Sequence, residues 1–153
     1  MQDPTFDLPT AHRWFAASLN NQAWDLLETP TRSAEQNELM RNTAHAAARH
    51  WWDVGDTIHR QRAECLLAQV HAAIGEPAAA MHHALRSLDL MVEAGSSIES
   101  IDRVFTHDAA ARACHLDNQT EETDRHRAEA ESARNSITDP TDRRIATDWL
   151  GRV

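Results

Sequence analysis

The sequence predicts an all-α protein in which about seven helices pack as successive antiparallel hairpins. β-branched and aromatic residues never alternate with polar ones over a useful length, which removes the strand reading. Helix start and stop signals recur along the whole chain, and the segments between them are short. Short connections between helices of similar length force antiparallel neighbours. The 153 residues match a common domain size, so a single domain is expected over 1–153, with 1–9 and 151–153 as loosely ordered ends.

Thr10 is placed to cap a first helix running to about Glu28, with Trp14, Phe15, Leu19, Ala23, Trp24 and Leu27 on its apolar side, and Thr29-Pro30 stops it. Ser33 with Gln36 has the spacing of a capping box and opens a second helix through about Asp53, ended by Gly55. Thr57 starts a third, with Ile58, Leu66, Leu67, Val70 and Ile74 as apolar positions, and Gly75 is its left-handed stop. Pro77 suits the first turn of a fourth, which carries Met81, Ala84, Leu85, Leu88, Met91 and Val92 and closes at Gly95. Ser96 with Glu99 resembles another capping box and opens a fifth helix through about Leu116, with a turn at Asp117-Asn118. Thr120 then caps a sixth helix to about Asn135, the most solvated of the set. Asp139-Pro140 starts a last one, with Ile145, Trp149 and Leu150 to bury.

A formal net charge of -9 repels phosphate backbones and anionic membrane surfaces, so neither nucleic acid nor membrane is an expected partner. No run of apolar residues reaches membrane-spanning length, and the opening Met-Gln-Asp-Pro-Thr-Phe-Asp lacks the basic and apolar regions of a secretory leader, which points to the cytoplasm. All 15 basic residues are Arg, and Tyr is absent, a composition best explained by GC-rich coding. Cys65 and Cys114 both fall in apolar helical stretches, where a reduced buried thiol is the usual state.

From Glu64 to Val92, the positions Glu64, Leu67-Ala68, His71, Gly75, Ala80 and Ala84 follow the pattern of a tetratricopeptide repeat (TPR). A second copy starts at His107, about 43 residues on, and runs through Ala110-Ala111, Cys114, Asn118, Thr123 and Arg127. The chain thus resembles a short TPR-like α-solenoid, with polar residues in place of both opening aromatics. The runs Ala44-His45 to His50-Trp51, Arg62-Ala63-Glu64 and His83-Ala84 are similar to short bacterial TPR-like proteins to which no activity attaches. The resemblance implies that the first helix of each pair lines a concave groove. A solvent-facing stripe of Arg62, Cys65 and Gln69, joined by Asp108, Arg112 and His115, would then face a ligand. Arginines on a rigid wall hold carboxylates bidentately, so the implied partner is a peptide or protein with acidic or C-terminal carboxylate groups.

Ten histidines invite a metal or acid–base reading. A chelating pair on one helix needs ligands three or four residues apart, and no two histidines have that spacing. His45 and His50, five apart, point about 140° away from each other. No stoichiometric metal and no cofactor are therefore expected, and no catalytic residue is assigned, because nucleophile elbow, Walker loop, dinucleotide fingerprint and Cys-x-x-Cys are all missing. The simpler role for His45, His50, Glu64, His71, His83 and His107 is hydrogen bonding across helix crossings.

Two alternatives to an interaction module stay open. A metal-dependent enzyme needs a site assembled from different helices, for example His45, Glu64, His83 and Asp108. A self-associating protein would use the corner at Trp51 and Trp52, which project about 100° apart so that one core hardly buries both. Packing of the second Trp beneath the first helix is the favoured explanation of that pair.

Overall fold

A computed structural model describes residues 6–152, and among these there is no strand. The elements are α1 (Leu8–Glu28), α2 (Ala34–Val54), α3 (Thr57–Ala73), α4 (Pro77–Ala94), α5 (Ser100–Leu116), α6 (Thr120–Asn135) and α7 (Pro140–Leu150), with one 3-10 turn, Gly95–Ser97, before α5. No helix is long and apolar enough to cross a membrane. Residues 1–5 and 153, from the expected loose ends, lie outside the described residues.

Helix starts follow local hydrogen-bond chemistry. Ser33 and Gln36 form both halves of a capping box, and Asp139 accepts from the N–H groups of Thr141 and Asp142. Four starts differ from expectation by one to three residues; at α6, Thr120 is the first helical residue and Gln119 stands at the cap without a side-chain bond. Asp7, not Thr10, caps α1, because its carboxylate takes the Thr10 N–H as one of the orphan first-turn donors. The box at α5 is Glu99 with Asp102, since Gly95–Ser97 is already wound into the 3-10 turn. Asp56 caps α3, one residue ahead of Thr57.

Two hairpin turns share one geometry. At the end of α3, Gly75 has φ 76°, its N–H donates to the Ala72 carbonyl, and the Glu76 N–H donates to the His71 carbonyl at 2.9 Å. At the end of α5, Asn118 has φ 59°, its N–H reaches the His115 carbonyl, and the Gln119 N–H reaches the Cys114 carbonyl at 2.9 Å. Both are Schellman motifs, which need a left-handed residue and therefore favour Gly or Asn. They sit 43 residues apart, the same offset that separates the two sequence copies.

Helices α1 with α2, α3 with α4, and α5 with α6 form three antiparallel hairpins, and α7 closes the end against α5 and α6. The odd-numbered helices also contact one another in succession, so α1, α3, α5 and α7 make an inner layer. Between the first two hairpins, Ala23, Met40, Ala44, Leu66, Leu67 and Val70 form a core. Between the next two, Cys65, Ala68, Ala80, Ala84, Ala109, Ala110 and Ala113 pack together, and this alanine-rich seam lets the backbones approach closely. Val104, Ala133, Ile137 and Ala146 seat α7. Each large aliphatic side chain in these clusters contributes about 1.5–3 kcal/mol of burial free energy. Cys65 and Cys114 are free and buried, and burial raises both thiol pKa values, which keeps them protonated and inert.

Two aromatic expectations are corrected. Trp52 is not tucked beneath α1. It is 52% exposed, with the Arg60 guanidinium 4.7 Å from its ring, while Trp51 stacks on His59. Trp14 and Phe15 are also exposed and pack edge to face on each other, with Phe15 stacked on His50.

Candidate functional site

The inner layer carries most of the residues that the sequence nominated for a groove, but arranges them differently. Trp24 of α1, Phe105 of α5 and Trp149 of α7 meet with ring centroids 5.2–5.5 Å apart. This aromatic cluster joins α1, α5 and α7. Cys65, Gln69 and Asp108 are buried and do not form a solvent-facing stripe. Arg62 lies apart from Arg112, each lining a different cavity. The sequence placed Trp24 and Trp149 among residues to bury without indicating that both would pack on Phe105.

The larger cavity, about 820 Å³, is lined by Gln69, Asp108, Arg112 and His115 of the nominated set, together with Glu28, Arg32, Arg127, Trp149 and Arg152. Asp108 organises it. Its Oδ2 accepts from Gln69 Nε2 at 2.9 Å, from Arg112 Nε at 2.8 Å and from the Trp149 indole N–H at 2.8 Å. The Trp149 ring in turn lies 5.5 Å from the Arg112 guanidinium and 5.6 Å from that of Arg152, close enough for cation–π attraction. Arg152 pairs with Glu28 at 3.1 Å, and Arg32 donates to the carbonyls of Leu26, Leu27 and Thr29. The smaller cavity, about 510 Å³, contains Arg62, which grips the buried Asp102 carboxylate with bonds of 2.7 and 3.0 Å and also reaches Glu99.

Histidines cluster elsewhere. His45 from α2, His71 from α3 and His83 from α4 each offer a ligating nitrogen, all within 4.8 Å of one another. His45 Nε2 lies 3.0 Å from His71 Nε2. On the far side of two rings stand carboxylates: His71 Nδ1 meets Glu76 Oε2 at 2.6 Å, and His83 Nδ1 meets Glu64 Oε2 at 2.7 Å. Glu76 is further held by Arg41 at 2.9 Å, and its bond to His71 lowers its pKa below the ordinary carboxylate value. Burial is the main cause that lowers the His45 pKa, helped by the electrostatic influence of the neighbouring imidazoles and opposed by Glu64.

The Schellman turn explains how Glu76 arrives there, because the bond from its N–H to the His71 carbonyl sets the two side chains beside each other. Of the cross-helix set His45, Glu64, His83 and Asp108, the structure joins the first three, with Glu64 behind His83, whereas Asp108 belongs to the cavity network. His71 takes the vacant place. Two further pairs form, His12 with His50 at 2.7 Å and His107 with His126 at 3.0 Å, and burial lowers the pKa of His50, His107 and His126. Of the residues expected to be buried polar groups, His71 is buried, His50, Glu64, His83 and His107 are half-buried, and His45 is exposed.

Comparison with protein-family models, curated proteins and solved structures finds no match. Function is therefore read from the geometry of these sites.

Proposed function

We propose that the chain is a TPR-like binding module that receives an acidic or C-terminal carboxylate group of a peptide or protein partner in the cavity around Arg112 and Trp149. One observation carries this reading. Four arginines, Arg32, Arg112, Arg127 and Arg152, face only two carboxylates, Glu28 and Asp108, in the lining of that cavity, although the whole chain is at -9. A local excess of positive charge inside an acidic protein concentrates anions where the field is focused. A volume of about 820 Å³ suits a small ligand or a few residues of a peptide end. With Arg112 Nε engaged by Asp108, the Nη pair is the part of the guanidinium fork left for a ligand carboxylate.

The matching Schellman turns support the repeat reading. Binding would follow Trp fluorescence, since Trp149 lines the cavity. An array of peptides with free acidic C-termini should yield ligands whose affinity falls at least about tenfold with Arg112→Ala and is unchanged with Arg62→Ala. If no such peptide binds, or Arg112→Ala binds as well as the parent, the assignment fails.

A further inference from the structure

The histidine cluster has the construction of a metal centre, and we propose that His45, His71 and His83 bind one divalent zinc ion. Three imidazoles supplied by three helices are a ligand set that suits zinc and disfavours magnesium or calcium, which take oxygen ligands. Against the expectation of no stoichiometric metal, this takes up the cross-helix alternative the sequence left open, with His71 in the place of Asp108 and Glu64 behind His83.

Proton placement is the first argument. The Nδ1 atoms of His71 and His83 are committed to Glu76 and Glu64, so the proton sits on Nδ1 and the Nε2 lone pair of each ring is free. His45 Nε2 lies 3.0 Å from one of those lone pairs, where without an ion it must itself donate. His45 is the exposed member, so its proton can move to Nδ1 and be solvated there. Three lone pairs are then available within 4.8 Å of one another, although the His71 and His83 rings are stacked at 10° and must tilt before their lone pairs converge.

Charge and reach agree with the same assignment. Two carboxylates stand behind neutral ligands and offset the 2+ charge of an ion, while Arg41 holds one of them in place. Such carboxylate–histidine pairs orient the ring and raise its basicity. Zinc–nitrogen bonds of about 2.0–2.1 Å put tetrahedral ligand nitrogens about 3.3 Å apart. The His45–His71 pair is at 3.0 Å and all three ligand nitrogens lie within 4.8 Å, so ion binding draws the nitrogens together and tilts the stacked His71 and His83 rings toward the ion about their carboxylate-anchored edges. Three protein ligands leave the fourth position open toward solvent on the His45 side, the arrangement in which zinc can hold a water or an incoming ligand.

The test uses the full chain, stripped of metal and titrated with zinc against a chromogenic chelator, with Co2+ as a spectroscopic stand-in. One ion per chain is expected, with a Kd of about 1 μM or tighter, a rise in Tm on saturation and visible d–d absorption from tetrahedral cobalt. His45→Ala, at an exposed position that should fold normally, and His83→Ala should each weaken binding by about 100-fold, and Glu64→Gln by about 10–100-fold. His50→Ala, in a separate histidine pair, should bind as the parent does. Circular dichroism checks each variant for folding. A parent Kd weaker than about 100 μM, or zinc binding that survives His45→Ala unchanged, overturns the site.

Discussion

The indole N–H of Trp149 donates to the same Asp108 oxygen that receives Gln69 and Arg112, at 2.8 Å. A side chain near the end of the last helix therefore completes the hydrogen-bonding of a carboxylate buried on α5. The bond fastens α7 to α5 and fixes the wall of the arginine-rich cavity.

Replacing Trp149 with Phe keeps an aromatic ring in the cluster but removes the donor. The loss should be about 1–3 kcal/mol in urea unfolding, with an unchanged m-value and faster amide exchange confined mainly to α7.

Arg62→Ala should destabilise although half of the arginine is exposed, because it strands the Asp102 carboxylate, whose side chain is 7% exposed. An unsatisfied buried acceptor costs about 1–3 kcal/mol. Adding Asp102→Asn should recover part of the loss, which a double-mutant cycle by chemical denaturation would measure.

Stability in metal-free buffer should fall as pH drops from about 7.5 to 5.5. His45, His50, His107 and His126 have folded-state pKa values below their ordinary 6.5, so the unfolded chain takes up protons first. Their contribution is full above 6.5 and is lost as pH falls toward the depressed values. The lowered carboxylates Asp53 and Glu76 act in the same direction only in a more acidic window, below their ordinary 3.8 and 4.5. Thermal unfolding should show a lower Tm at pH 5.5, and a His107→Gln/His126→Gln double variant should show a shallower slope.

Gly55→Ala should cost more than its backbone angles suggest. Its φ of -87° is ordinary, but an added Cβ would come within 2.6 Å of the Trp51 carbonyl oxygen and 2.7 Å of His59 Cβ. The turn between α2 and α3 must shift to admit it, so a Tm loss of several degrees is expected. An unchanged Tm would show that the turn yields freely.

Much of the helical framework was legible because caps are local chemistry. Ser33 with Gln36, Asp139 ahead of Pro140, and the turn at Gly75 each act through bonds spanning two to five residues. Thr10 misled because Asp7 competes for the same first-turn N–H groups and is reached only by comparing two good caps. The cavity and the histidine cluster depend on helix crossings that no spacing encodes. His45 and His71 are 26 residues apart in the chain. One signal was nevertheless present: folding the chain back at Gly75 carries His83 and Glu64 toward each other and sets His71 on the same hairpin. The covering of Gln69 and Asp108 had no such signal, since it requires α1 and α7 to bring Trp24 and Trp149 onto α3 and α5.

The meeting of Trp24 with Trp149, reinforced by Glu28 with Arg152, changes how the stack should come apart. In an open array each unit touches only its neighbours, and unfolding can begin by fraying at either end and spread stepwise. Here Trp24 of α1 packs on Trp149 of α7 and Glu28 pairs with Arg152, so fraying of either end breaks contacts made by the other. Disassembly of the stack should be concerted, with calorimetric and van't Hoff enthalpies equal, as for a chain far less modular than its repeated hairpins suggest.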